Sequence, residues 1–111
     1  MNRKGKVFYK DYLAGIIEEI EIGYRFSYDE EYLLREQSWS ISKTLPISEH
    51  PYTSKTMFPF FDGLIPEGWL LDVAVDNWKL KPKDRMGLLL ACCEDCIGAV
   101  SVVPFKANEN E

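Results

Sequence analysis

Tyr24-Arg25-Phe26-Ser27-Tyr28 alternates aromatic and polar residues without a break. Successive strand side chains point to opposite faces, so this stretch predicts a strand with one face buried and one wet. Just before it, Ile16 to Ile22 alternates less regularly, and Gly23 between the two runs marks a turn or bulge. Further back, Val7-Phe8-Tyr9 is a short β-rich run that ends at a turn beginning with Lys10-Asp11. On the other side, Asp29-Glu30-Glu31-Tyr32-Leu33 opens one short helical turn. Trp39 to Ile47 then alternates again, with Trp39, Ile41 and Leu45 apolar and Pro46 at the edge, and is predicted as a strand. Residues 6–47 therefore read as strands and turns.

Residues 56–93 read as helices. Phe58-Pro59-Phe60-Phe61 begins a short apolar turn that Gly63 stops. Pro66 suits the first position of a second helix, where its missing N–H costs nothing, and Pro82 does the same for a third, with Asp84 in its first turn. Met86, Leu89, Leu90 and Cys93 keep the i, i+3, i+4, i+7 spacing of a buried stripe. Gly98 breaks the pattern, and Ala99 to Phe105 predicts a last strand. Strands, then helices, then a closing strand imply an α+β fold: a small antiparallel sheet or partial barrel with two to three helices packed on it. The expectation is a single domain over 1–111, with an ordered core of about 6–105 and a polar tail at 106–111.

The composition fits that scale. The chain has 111 residues, 46% hydrophobic and 28% charged, enough for a core without staples and too apolar for disorder. Aromatic residues make up 14%, more than one core needs, so some are expected at the surface. The formal charge of -5 weighs against a direct nucleic-acid partner. The only basic run is Arg3, Lys4, Lys6. No apolar run reaches the ~18 residues of a membrane span, and no signal-peptide core follows the charged start. The three cysteines are clustered and odd in number, which points to a reducing compartment and to the cytoplasm.

The second helix, about Pro66 to Trp78, carries the most information. Leu71, Ala74, Val75 and Trp78 define its buried face. At ~100° per residue, Trp69 falls roughly opposite that face, beside Asp72 and Asp76, with Val73 close by. Either a neighbouring loop such as Phe58 to Phe61 folds over Trp69, or Trp69 anchors a partner protein, since exposed Trp is enriched among interface hot spots.

Catalytic chemistry is hard to assemble from this chain. His50 is the single histidine and sits before Pro51 in a polar loop, so it reads as a solvated loop residue. Neither a glycine-rich phosphate loop nor a kinase H-R-D or D-F-G signature occurs. Cys93-Glu94-Asp95-Cys96 has a C-x-x-C spacing, with Cys92 adjacent. A structural zinc needs four ligands and there is no second pair, so Cys92, Cys93 and Cys96 read as small core hydrophobes at a helix end. No metal, no cofactor and no enzymatic activity are expected.

Four segments together carry a family resemblance. Phe60-Phe61-Asp62-Gly63-Leu64-Ile65-Pro66-Glu67-Gly68-Trp69 resembles the "fF-x-n-L-l-P-E-G" motif of the HipA amino-terminal domain family. Ser40-Ile41-Ser42-Lys43-Thr44-Leu45-Pro46 is similar to its "L-S-x-S-L-P" segment, Phe26-Ser27-Tyr28-Asp29 to its "F-x-Y" strand, and Asp95-Cys96-Ile97-Gly98-Ala99-Val100 to its "D-c-x-G-A-v" ending. The match runs from about Val7 to Pro104. Cys93 stands where the family pattern has Gly, and Ile65 where Leu is usual.

In that family the domain forms the front of a serine/threonine kinase toxin whose operon a helix-turn-helix antitoxin represses. The kinase core is missing here. The start at Met1 and the polar tail just past the last strand favour a whole gene product over a fragment. Some systems of the family are split in three, with a free-standing HipS-like amino-terminal domain that can act as antitoxin. The resemblance implies an antitoxin that binds and inhibits a HipT-like kinase, with a HipB-like DNA-binding protein in a ternary complex. The alternative is a non-inhibitory scaffold, or an excised amino-terminal module, that bridges kinase and repressor. The expected partner-binding residues are Trp69, Asp72, Val73 and Asp76, with Glu67 and Gly68 of the same stretch.

Overall fold

The alternating aromatic stretch forms strand β3 (Gly23–Tyr28). In this computed structural model, which describes residues 3–35, 38–65, 84–93 and 99–105, it pairs antiparallel with β2 (Tyr12–Ile20). The register sets Ile17 opposite Phe26 and Gly15 opposite Tyr28. On its other side β2 pairs with β1 (Lys4–Tyr9) across the tight turn at Lys10 and Asp11, where Lys10 takes a left-handed φ of 57°. The register slips between Val7 and Phe8, so that Ala14 is an extra residue in β2. β4 (Tyr52–Ser54) adds to the outer side of β3, and β5 (Val100–Pro104) to the outer side of β1. The result is an open antiparallel sheet in the order β4-β3-β2-β1-β5.

One face of that sheet makes the core. Val7, Ile17, Phe26 and Val102 are fully buried on it, each burial worth roughly 1.5–3 kcal/mol. Three helices among the described residues, α1 (Glu30–Leu33), α2 (Pro59–Asp62) and α3 (Arg85–Cys92), add to it, together with loop residues such as Ile41, Leu45, Met57 and Ile65. α1 starts where the side chain of Asp29 accepts from the N–H groups of Glu31 and Tyr32. α2 starts at Pro59, ends at Gly63, and sends Phe61 into the core against Phe26 and Phe58, at ring-centroid distances of 5.5 and 6.1 Å. The α+β class expected from the sequence is the observed one.

Three sequence-based expectations are corrected. Trp39 to Ile47 is not a strand: among these residues the only β pairing is an isolated bridge between Ser42 and Leu45, and the segment is a loop that buries Ile41 and Leu45. Asp84 is the N-cap of α3 rather than a first-turn residue, its carboxylate accepting from the Gly87 N–H. The buried face of α3 is Met86, Leu88 and Leu89, with Cys93 at its end, while Leu90 is only half-buried. Strand β4 had no counterpart in the sequence reading. It is held by the close approach of β3, where Gly23 (φ 146°) leaves no room for a Cβ against the Ser54 carbonyl.

Candidate functional site

The six residues predicted to bind a partner, Glu67, Gly68, Trp69, Asp72, Val73 and Asp76, lie outside the described residues, as do Pro66, Pro82 and Cys96. The described fold does fix the points from which their segment departs and returns. Ile65, at the departure point, is buried. Arg85, just past the return, donates from Nε to Asp62 Oδ1 at 2.6 Å, joining α3 to the end of α2. The Cys93 thiol, buried in the core, donates to the Leu64 carbonyl at 3.3 Å. Both ends of the segment are therefore anchored on one corner of the core.

Asp84 is held from a third direction. The Arg3 guanidinium donates to both Glu19 oxygens at 2.8 and 2.9 Å and to both Asp84 oxygens at 2.8 and 3.0 Å. Planar five-donor geometry makes Arg the side chain for such a double fork. The hydrogen bonds to Glu19 and then to Asp84 push the Arg3 pKa above its ordinary value, and the bond from Arg3 holds the Glu19 carboxyl below its own. Gly87 makes the space: a Cβ there would collide with Asp84 Oδ2 and stand 3.1 Å from Arg3 Nη1. The other members of the basic run are also engaged internally. Lys4 and Lys6 place their ammonium groups 5.8 and 5.3 Å from the centre of the Phe105 ring.

The loop over 38–50 is held by tyrosine hydroxyls rather than by a ladder. The Tyr28 hydroxyl accepts from the Ile41 N–H at 3.1 Å and donates to the Leu45 carbonyl. The Tyr32 hydroxyl accepts from the Trp39 N–H and donates to its carbonyl, at 3.1 and 2.7 Å. Tyr52 donates to the Pro46 carbonyl at 2.7 Å. Burial pushes the Tyr28 phenol pKa up, against the opposing pull of the Ile41 N–H. Trp39, predicted as an apolar residue of a strand, instead stacks on Tyr9 from the loop, with centroids 5.6 Å apart, and stays 44% exposed.

Of the aromatic residues expected at the surface from composition, Tyr12 and Trp39 are exposed, and Leu34 of α1's C-cap joins them, at 84%. α1 stands as a ridge between two grooves. One, of about 340 Å³, is lined by Tyr12, Leu13, Asp29, Glu31, Tyr32 and Arg35. The other, of about 410 Å³, is lined by Tyr28, Glu30, Leu33, Leu34 and Glu49. The sequence reads Asp29, Glu30 and Glu31 only as the opening of a short helical turn and does not single out Leu34. The available signal was local: a four-residue helix that buries Tyr32 cannot also bury the leucine that caps it. His50 is exposed in its loop, and no cluster of three or more metal-ligating side chains occurs among the described residues. No helix among them is long and apolar enough to cross a membrane.

Comparisons with known proteins agree with this architecture. A model of the HipA N-terminal domain matches residues 5–103. A solved structure described as the N-terminal domain of HipA toxin superposes with a TM-score of 0.72 at 31% identity, covering 95% of this chain and 94% of that one. An "Uncharacterized protein" of Haemophilus influenzae is 35% identical over 104 residues, 94% of both chains. The "Putative kinase Y4mE" of Sinorhizobium fredii is 30% identical over 79 residues, which are 71% of this chain but 19% of that protein. The chain thus spans about a fifth of this longer relative.

Proposed function

This chain belongs to the HipA N-terminal domain family, and from that premise we propose that it is an antitoxin that binds and inhibits a HipT-like serine/threonine kinase. The N-terminal domain is the family's non-catalytic module, and no catalytic kinase domain is indicated in a chain of 111 residues. Its family context is that of toxin–antitoxin systems. The observation that carries the proposal is a pair of matches: this domain aligns with 94% of one relative and with a 19% segment of a putative kinase. A module fused to a kinase in one protein and matching nearly all of another is suited to dock on a separate kinase chain in the place of its fused counterpart.

Trp69 is the proposed centre of that contact, flanked by Glu67, Gly68, Asp72, Val73 and Asp76. A HipB-like DNA-binding protein completes the complex, and the cytoplasm is its compartment. The test is growth of cells expressing the HipT-like kinase with and without this chain. Restored growth supports an antitoxin. Binding without restored growth points to a scaffold that bridges kinase and repressor. Calorimetry with Trp69→Ala then tests the site, with an expected loss of about 2 kcal/mol, or roughly thirtyfold in affinity. Unchanged affinity would remove Trp69 from the contact while leaving the binding itself in place.

A further inference from the structure

We propose that the groove between α1 and the Glu49 loop docks a segment of a protein partner that pairs a lysine or arginine with a large apolar side chain. None of its lining residues is among those proposed around Trp69, and the inference does not rest on the kinase assignment. The groove, about 410 Å³, is lined by Tyr28, Leu33 and Leu34 as its apolar part and by Glu30 and Glu49 as its charged part. Among the described residues, no basic side chain lines it. Neither carboxylate makes an ion pair or a side-chain hydrogen bond among the described residues. Leu34 is 84% exposed at its rim, an arrangement that leaves a leucine and two carboxylates together in water.

The neighbouring groove shows what such chemistry receives. There, across α1, the chain supplies its own cation: the Arg35 guanidinium lies 3.7 Å from the centre of the Tyr12 ring, in a groove that Asp29 and Glu31 also line. Cation, aromatic face and carboxylates complement one another in a partly desolvated site. The second groove repeats the carboxylates and the apolar wall, with no cation among its described lining residues. Charge complementarity therefore selects a cationic occupant, and the exposed Leu34 selects one with an apolar neighbour.

The test is a titration of the isotope-labelled full chain with acetyl-Lys-Leu-Trp-Arg-Lys-amide, followed by NMR and calorimetry. The control peptide carries Glu in place of each Lys and Arg. The expected result is shifts confined to the amides of Glu30, Leu33, Leu34 and Glu49, with no binding of the acidic control. Glu30→Gln and Glu49→Gln should each weaken binding about threefold, as for exposed ion pairs, and Leu34→Ser should weaken it further. Both glutamates and Leu34 are exposed, so these variants test binding without challenging the fold. Equal binding of the acidic peptide, unchanged affinity in the double Gln variant, or no binding at all would overturn the proposal. So would shifts centred on another face, or shifts that grow with protein concentration alone, which would put a second copy in the groove.

Discussion

Replacing Tyr28 by Phe removes one buried oxygen and leaves two backbone groups behind. The hydroxyl accepts from the Ile41 N–H and donates to the Leu45 carbonyl, and both residues are buried, at 6% and 3% exposure. An unsatisfied buried polar group costs about 1–3 kcal/mol, so two set an upper bound near 6. The flanking residues Ser40, Lys43 and Thr44 are exposed, so water reaches part of the loop and the lower end applies. The expected loss is about 2–3 kcal/mol, or a fall in Tm on the order of 10 °C for a domain of this size. Equilibrium urea unfolding measures it, with an unchanged m-value showing that the native state remains compact. Tyr52→Phe is the control: its hydroxyl bonds the exposed Pro46 carbonyl, so its loss should stay under about 1 kcal/mol. If Tyr28→Phe lost less than about 0.5 kcal/mol, or no more than Tyr52→Phe, the claim that hydroxyls hold this loop would be refuted.

Three further outcomes follow from the same geometry. Asp84→Ala removes a helix cap and one arm of the Arg3 fork; the cap is worth about 1 kcal/mol, and the 42% exposure of Arg3 limits the ion pair to a few tenths more, read by thermal unfolding. Because Arg3 depresses the Glu19 pKa, the stability it contributes is complete above the ordinary glutamate value and is lost as pH falls through the lower folded one; Glu19→Gln should flatten that acid limb, and an unchanged limb would contradict the pairing. Gly23→Ala places a Cβ against the Ser54 carbonyl at a φ of 146° and should cost about 2–3 kcal/mol, with β4 amides losing hydrogen-exchange protection first.

The sheet was legible where side-chain alternation and pairing coincide. Phe26 and Tyr28 face the core as their spacing requires, and the first turn falls at Lys10 and Asp11 as expected, while the second is Glu21-Ile22, with Gly23 opening β3. The loop over 39–47 shows the limit of that signal. Its apolar residues do alternate, and Ile41 and Leu45 are buried, but burial by alternation does not say where the backbone groups bond. Here Tyr28 and Tyr32, 7 to 17 residues earlier, supply hydroxyl partners in place of those a neighbouring strand would offer. β4 is the opposite case: Tyr52-Thr53-Ser54 is too short to declare itself, and its strand character comes from pairing with Tyr24 to Phe26. Of the candidate site, the fold supplies the frame at Asp62, Ile65 and Arg85, while Trp69 and its neighbours rest on helical periodicity and family resemblance. The groove beside Leu34 was hidden because its walls come from α1, β3 and the loop at Glu49, which no local pattern joins.

The pairing of β5 with β1 has a consequence for synthesis on the ribosome. The strand made first waits for the one made last among the described elements, with nearly the whole chain between them. β1, β2 and β3 can zip into a meander as they emerge, but the far side of β1 keeps its Lys6 and Phe8 backbone groups open until Val100–Pro104 arrives. At roughly 5–20 residues per second that interval lasts several seconds, long enough for an open strand edge to meet another nascent chain. Lys4 and Lys6 along that strand, with Lys10 in the turn after it, place like charges on the waiting edge, a safeguard whose use ends once the closing strand has paired.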